Sequence, residues 1–154
     1  MKVMAVIKER CIGCRICEQW CTMHHEEAGV NLSRIHIQRL HQKYTNLPLV
    51  CHQCEDVPCI NNCKFNALSR DPLTGAILVN TEVCTGCRLC QRNCPHQAIT
   101  FDSVSRKVRI CDLCGGNPQC VTHCPEYALE YIFQEKFGAK KGPTAGLWSK
   151  LEVM

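Results

Sequence analysis

The feature that most constrains this chain is its cysteines, which number 16 in 154 residues and fall into four groups of four. Every group begins with the spacing C-x2-C and ends with C-x3-C, so the chain carries a fourfold internal repeat. The 45% hydrophobic fraction counts these cysteines, and aromatic residues make up only 6%, so the ordinary apolar core is small for this length. Such a chain must draw much of its stability from what its cysteines form or bind.

The surroundings of the cysteines argue against disulfides. The apolar run Val3 to Ile7 is too short for a signal peptide and lacks a small-residue cleavage site. We therefore expect a cytoplasmic protein, because in a reducing compartment dense cysteine indicates metal or redox centres. Export bound to a partner that carries the signal is also compatible with the sequence. No segment reaches the roughly 18 apolar residues of a transmembrane helix, so we expect a soluble or peripheral protein.

Spacing then separates zinc from iron–sulfur clusters. Structural zinc sites usually take two C-x2-C pairs from separate loops. The first and third groups instead read C-x2-C-x2-C-x3-C, the run typical of bacterial ferredoxins, in which the fourth cysteine ligates the other cluster. Cys94 and Cys124 are each followed by proline, as in that run. The 16 cysteines therefore suffice for four [4Fe–4S] clusters, with none left over.

Residues near the cysteines fit the same interpretation. Gly13 and Gly86 lie inside C-x2-C loops, where a missing Cβ lets backbone N–H groups approach sulfur. We expect Pro95 and Pro125 at the first position of a short helix that leaves the cluster. A small residue four positions after the last cysteine of a group should let that helix pack closely. These residues are Ala67, Ala98 and Ala128.

Two segments, Cys51 to Cys59 and Cys111 to Pro125, resemble a known family of four-cluster ferredoxin-type electron-transfer subunits. Those subunits accompany molybdenum and tungsten oxidoreductases of the formate dehydrogenase, dimethyl sulfoxide reductase and aldehyde oxidoreductase types, and some hydrogenases and carbon monoxide dehydrogenases. The resemblance extends from residue 3 to about residue 132. The membrane-anchored relatives carry a C-terminal apolar helix, which this sequence lacks.

The resemblance also implies which cysteines share a cluster, whereas spacing alone equally allows the first group to pair with the second and the third with the fourth. In the implied nested arrangement, the first and fourth groups share two clusters and the second and third share the other two. The ligand sets are Cys11, Cys14, Cys17 and Cys124; Cys21, Cys111, Cys114 and Cys120; Cys51, Cys54, Cys59 and Cys94; and Cys63, Cys84, Cys87 and Cys90.

Between the groups, sequence patterns predict short strands over Lys2–Ile7 and Arg34–Leu40 and a turn at Asp71–Gly75. A second turn is expected between Ile99–Phe101 and Lys107–Ile110. The predicted fold class is α+β, with two interleaved bacterial-ferredoxin-like units whose short strands and short helices wrap around four cubane clusters. The outer unit comprises residues 1–47 and 103–137, the inserted unit residues 48–102, and residues 138–154 form a tail that is flexible or bound to a partner. Residues 22–50 are expected to link the units.

These features predict an electron carrier rather than an enzyme. The cysteine count leaves no iron open for substrate, and no paired carboxylates, phosphate loop or nucleophile motif is evident. We expect one end of the protein to meet a catalytic oxidoreductase subunit and the other a further redox carrier. The alternative is a free polyferredoxin without a fixed partner. A carrier with two ends could also stack head to tail on copies of itself.

The net charge and the histidines complete the sequence argument. The formal charge of +4 counts every thiol as neutral, and four thiolate-bound clusters change it to about −4 when oxidised and about −8 when reduced. The basic residues therefore compensate cluster charge, and we expect no nucleic-acid binding. Solvated surface positions are expected for the seven histidines. His52 and His123 lie inside cysteine groups, however, and could hydrogen-bond a cluster.

Overall fold

The computed structural model describes residues 1–26, 32–40 and 45–135 of a small protein that mixes helices and strands. The strands are β1 (Lys2–Val6), β2 (Ile35–Leu40), β3 (Thr45–Val50), β4 (Leu68–Arg70), β5 (Ile77–Val79), β6 (Thr100–Asp102), β7 (Lys107–Arg109) and β8 (Leu129–Phe133). The helices are α1 (Ile16–His24), α2 (Pro58–Asn61), α3 (Leu89–Arg92) and α4 (Gln119–Thr122), with 3-10 turns at Lys8–Arg10 and Leu113–Gly116. The predicted tail lies outside the described residues.

Within the described ranges, the strands form four two-stranded antiparallel sheets. Strand β1 pairs with β8, from Lys2 opposite Phe133 to Val6 opposite Leu129. Because the first cysteine group follows β1 and the fourth precedes β8, this pairing brings sequence-distant groups to the same end of the molecule. The predicted N-terminal strand is confirmed.

Strands β2 and β3 form a hairpin that the sequence patterns revealed only in part. Strand β2 was predicted, whereas β3 lies in the segment that we expected to be a linker. Pro48 stands opposite Ile37, and the N–H of Ile37 points away from β3 and donates to Glu18 Oε1 at 2.6 Å. This residue pair is therefore not hydrogen-bonded across the strands, which is where a strand tolerates proline.

The hairpins β4–β5 and β6–β7 confirm the two predicted turns and are built alike. An aspartate follows or ends the first strand of each hairpin and accepts hydrogen bonds from backbone N–H groups of the turn. Asp71 accepts from Thr74 N at 3.1 Å, and Asp102 accepts from Val104 N at 2.9 Å. The predicted boundary between residues 102 and 103 runs between β6 and β7, which pair with each other.

The core is a shell of apolar side chains around the cysteines. Met4, Ile35, Ile77 and Leu113 are fully buried, and they belong to one cluster that also contains eight buried cysteines. Half of the 16 cysteines thus occupy core positions, as the small apolar content of the sequence led us to expect. Among the described residues, no helix has the length and apolar character needed to cross a bilayer.

The close packing around Gly86 in the loop of the third cysteine group predicts that one added methyl group lowers the free energy of unfolding. Gly86 has φ +70°, and a Cβ there would clash with the backbone carbonyl oxygen of Arg106 in the β6–β7 turn. Gly115 has φ +64° but open space around it, so it serves as a matched control. We expect Gly115→Ala to lower the free energy of unfolding by about 1 kcal/mol and Gly86→Ala by about 1–3 kcal/mol more. Denaturant unfolding of the iron-loaded variants measures both, and equal losses would contradict this packing.

Candidate iron–sulfur centres

Three cavities in the described structure are each lined by four cysteines. In every case three cysteines come from one group and the fourth is the last cysteine of another group. The first cavity is lined by Cys11, Cys14, Cys17 and Cys124. The second is lined by Cys51, Cys54, Cys59 and Cys94. The third is lined by Cys63, Cys84, Cys87 and Cys90.

The remaining four cysteines, Cys21, Cys111, Cys114 and Cys120, lie close enough to shift one another's pKa values. Burial raises the pKa of Cys120, and the nearby charges of Cys114 and Cys21 raise it further. Burial likewise raises the pKa of Cys111, with further contributions from Cys120 and, more weakly, Cys21. These interactions place Cys21, Cys111, Cys114 and Cys120 near one another, and we treat them as a fourth set.

Electrostatic interactions between cysteines link the four sets one after another, an order that we call a row. We number them from the N-terminal cysteine onward: set 1 contains Cys11, set 2 contains Cys21 and Cys111, set 3 contains Cys51, and set 4 contains Cys84. The charge of Cys17 in set 1 raises the pKa of Cys120 in set 2. The charge of Cys51 raises that of Cys111, and the charge of Cys59 in set 3 raises that of Cys90 in set 4. Neighbouring sets are therefore close enough for their charges to interact.

Backbone N–H groups point at the last cysteine of every group. Ala67 N lies 3.3 Å from Cys63 Sγ, Ala98 N lies 3.5 Å from Cys94 Sγ, and Ala128 N lies 3.3 Å from Cys124 Sγ. In the first group, Arg34 N takes this role, 3.3 Å from Cys21 Sγ. Such donors stabilise charge on sulfur, so these sites suit metal-bound thiolates.

The prediction that a short helix follows the last cysteine of a group, at Pro95 and at Pro125, is wrong. Backbone hydrogen bonds from Gln97 N to Cys94 O and from Tyr127 N to Cys124 O, both 3.2 Å, close β-turns there instead. Pro95 and Pro125 accordingly occupy the second position of a turn, which their fixed φ also suits. The alanines that follow are buried and present their N–H groups to sulfur, rather than packing a helix.

Thiol pKa values show what metal binding must overcome. Burial raises the pKa of Cys17 and Cys51 to about 12 and that of Cys54 and Cys90 to about 11, with neighbouring negative charges adding to the rise. Without metal, these thiols are neutral at pH 7, and binding must displace their protons. Iron ions supply the positive charge that makes sixteen clustered thiolates tolerable. The cavities, the donors to sulfur and the ligand count all fit four [4Fe–4S] clusters.

Gln53, which sequence reasoning missed, joins sets 2 and 3. It is fully buried inside the C-x2-C loop of the second group. Its Nε2 donates to the backbone oxygen of Cys111 at 2.7 Å, and its Oε1 accepts from Ile77 N at 2.9 Å. One side chain therefore holds the second group, the fourth group and β5 in register. A glutamine between two cysteines carries no periodic signal that would have revealed this role.

The histidines differ from the expected surface placement. His52 is partly buried, packs on His96 with ring centroids 4.3 Å apart, and lines the cavity of set 3. Burial lowers its pKa to about 4. His123 stacks on Trp20 at 3.5 Å and donates from Nδ1 to Gln119 O. His25, which the sequence left at the surface, is part-buried, and its Nε2 lies 3.4 Å from Asp112 Oδ1.

Comparison with known proteins places these features in context. A family model described as a 4Fe-4S dicluster domain matches residues 42–134. The polyferredoxin-like subunit of aliphatic sulfonate oxidoreductase from Pyrococcus furiosus is 44% identical over 124 residues, which cover 79% of this chain and 70% of that protein. The electron transport protein HydN of Escherichia coli is 35% identical over 153 residues, covering 82% of this chain and 85% of HydN.

A solved structure shares the fold. One chain of the active site complex BamBC of benzoyl coenzyme A reductase, in complex with benzoyl-CoA, superimposes with a TM-score of 0.51 at 21% identity. The match covers 98% of this chain and 91% of that chain.

The buried position of Gln53 predicts that replacing it with methionine, which has a similar size, strongly lowers the free energy of unfolding. Gln53→Met removes both hydrogen bonds and leaves Cys111 O and Ile77 N without this partner, at an expected cost of roughly 2–4 kcal/mol in the free energy of unfolding. Gln38→Met, on the exposed side of β2, is the control and should change stability by less than about 0.5 kcal/mol. Denaturant unfolding of iron-loaded protein compares the two, and a neutral Gln53→Met would contradict the joining role.

Proposed function

We propose that this chain, which belongs to the family of proteins with a 4Fe-4S dicluster domain, relays electrons between a catalytic oxidoreductase subunit and a further carrier. It is a polyferredoxin-like electron-transfer iron–sulfur protein whose 16 cysteines fit four [4Fe–4S] clusters. The observation that carries the proposal is the row of four cysteine sets, described above, with exposed cysteines only at its two ends.

The proposed ligands are the four sets themselves. Set 1 is Cys11, Cys14, Cys17 and Cys124; set 2 is Cys21, Cys111, Cys114 and Cys120; set 3 is Cys51, Cys54, Cys59 and Cys94; and set 4 is Cys63, Cys84, Cys87 and Cys90. The cavities lined by sets 1, 3 and 4 support this nested assignment. The electrostatic coupling of Cys120 to Cys114 and Cys21 supports set 2. Strand pairing of β1 with β8 supports an outer unit built from both ends of the chain.

When bound, each cluster supplies a site that takes up and releases one electron at a potential set by charge, hydrogen bonds and exposure. The chain orders the four sites and excludes water from the inner ones. Of the 16 cysteines, all within the described ranges, only Cys14 in set 1 and Cys87 in set 4 are exposed. We therefore expect electrons to enter and leave at the two ends of the row.

Exposed apolar side chains surround both ends and suit docking of partner proteins. Near Cys14, Ile12 is 60% exposed and Tyr127 is 72% exposed. Near Cys87, Phe65 is 45% exposed and Val83 is 43% exposed. Two separate faces match a carrier placed between two partners, and they would also permit copies of the chain to stack head to tail.

The partner class is part of this proposal. A molybdenum or tungsten oxidoreductase is the catalytic partner that we infer from the sequence resemblance. The similar protein from Pyrococcus furiosus is named as a subunit of an oxidoreductase, which supports the subunit role. HydN is named an electron transport protein, which also suits the alternative of a free polyferredoxin. We place the protein in a reducing compartment because of its cysteine content.

The nested assignment is tested by a matched pair of ligand variants. Wild-type protein purified without oxygen should contain about 16 iron atoms per chain. Cys124→Ser should perturb set 1, and Cys120→Ser should perturb set 2, because these two nearby cysteines serve different sets. Electron paramagnetic resonance of the reduced proteins distinguishes the signals. If both variants changed the same signal, the nested assignment would be overturned, and about eight iron atoms in the wild type would contradict four clusters.

The subunit role is tested in native extract. We expect the iron-containing chain to co-elute with a much larger oxidoreductase on size exclusion, and Ile12→Asp together with Tyr127→Asp to release it with its iron intact. Leu78→Asp, at an exposed position on β5, is the control and should leave the complex unchanged. Elution of the wild-type chain alone would favour the free polyferredoxin.

A further inference from the structure

The cysteine sets at the two ends of the row are built from matching repeats, so their surroundings can be compared position by position. The first and third groups share the spacing C-x2-C-x2-C-x3-C, and in both an arginine follows the second cysteine. These arginines, Arg15 and Arg88, cap the N-termini of α1 and α3 and line the cavities of sets 1 and 4. The arginine position therefore does not distinguish the two ends.

A buried carboxylate does distinguish set 1. Glu18, which directly follows the third cysteine of its group, is only 3% exposed. Its Oε1 accepts from Ile37 N at 2.6 Å, and its Oε2 lies 3.8 Å from Arg15 Nε. Both of these partners line the cavity of set 1, and they are the partners that a buried carboxylate requires. The same position of the third group holds the neutral Gln91.

Set 4 instead has cations on the backbone oxygens of its ligands. The half-buried Lys107 donates from Nζ to Cys84 O at 2.5 Å. Arg92 Nη2 donates to the backbone oxygen of the second cysteine of the same group at 3.4 Å. In set 1 the donor to the first cysteine of the group is a neutral amide, since Asn46 Nδ2 lies 3.4 Å from Cys11 O.

The inner sets differ in the same sense. In set 3, Arg70 Nη2 donates to Cys54 O. In set 2, the neutral amide of Gln53 donates to Cys111 O at 2.7 Å. These side-chain donors are neutral in sets 1 and 2 and cationic in sets 3 and 4.

Other charges near the ends do not reverse the difference. Arg10, beside the first cysteine of set 1, and Glu82, two residues before the first cysteine of the third group, are both exposed, so water and salt screen them. Glu126 lines the cavity of set 1, where Phe65 lines that of set 4. Glu126 therefore adds negative charge at the same end as Glu18.

Negative charge beside a cluster lowers its reduction potential and positive charge raises it, because reduction adds one negative charge. From these contacts we infer that Glu18 keeps the reduction potential of the set 1 cluster below that of the set 4 cluster, which Lys107 raises. Electrons then run from the end of the row at Cys14 to the end at Cys87. This direction deepens the proposed relay and rests on it.

Each passage through the row moves one electron. A reduced one-electron centre of the partner at the Cys14 end is oxidised there, and an oxidised one-electron centre of the partner at the Cys87 end is reduced. The chain returns to its starting state, and no proton or covalent bond changes hands. The partner at Cys14 is therefore the stronger reductant of the two.

The experiment is a redox titration of the iron-loaded chain followed by electron paramagnetic resonance. In the wild type, the set 1 step should lie at lower potential than the set 4 step, and Cys14→Ser and Cys87→Ser identify these two steps. Glu18→Gln keeps an acceptor for the backbone N–H. We expect it to raise the ratio of reduced to oxidised set 1 about tenfold at a fixed applied potential, a shift of about 59 mV for one electron.

The reciprocal changes act on set 4. Gln91→Glu and Lys107→Met should both lower the ratio of reduced to oxidised set 4 at a fixed potential, whereas Lys107→Arg should retain it. Glu82→Gln is the control, because it removes the same charge as Glu18→Gln from an exposed position. It should change the ratio for set 4 by less than about twofold.

The outcomes separate this direction from the relay itself. A set 1 step at or above the set 4 step in the wild type overturns the direction, and this measurement decides even if a variant loses its iron. Unmoved steps in both Glu18→Gln and Lys107→Met, with about 16 iron atoms retained, overturn the role of these charges and leave the relay intact. If Cys14→Ser and Cys87→Ser moved the same step, the proposed ligand sets would fall instead.

Discussion

The fold depends on cysteines that are far apart in sequence sharing one site. Cys124 lies in the same cavity as Cys11, Cys14 and Cys17, and Cys94 lies with cysteines of the second group. Closing such long loops costs conformational entropy, and short two-stranded sheets alone contribute little stability. Metal–thiolate bonds across these sites can offset that cost, so binding of the clusters and folding of the chain are expected to be one process.

Much of the architecture follows from sequence, because metal ligands and turns leave local signals. The cysteine spacing indicated the iron–sulfur clusters, and Asp71–Gly75 indicated the β4–β5 turn. Strand β3 was missed because Pro48 disguises it. Proline is tolerated there because its pair with Ile37 is not hydrogen-bonded across the strands, a register that only the folded chain reveals. The turn at Pro95 was mistaken for a helix because proline suits the start of either structure.

The site shows the same division between local and long-range information. Each cysteine could be assigned as a ligand from spacing, since the pattern lies within about 15 residues. Gln53 and His25 could not be assigned, because their partners Cys111 and Asp112 lie far away in the sequence and no periodicity connects them. Both residues act where different cysteine groups meet, and contacts of that kind become visible only when the chain is folded.

The bond between Ile37 N and Glu18 Oε1 has a further consequence for how this protein behaves among its neighbours. A two-stranded sheet leaves backbone groups on its outer edge that could recruit a strand from another molecule. In β2 the middle N–H of that edge is already taken by a buried carboxylate on α1. The centre of this hairpin edge is thereby unavailable for strand addition. Since the protein has many short strands, this reduces the risk that copies of it aggregate through their edges.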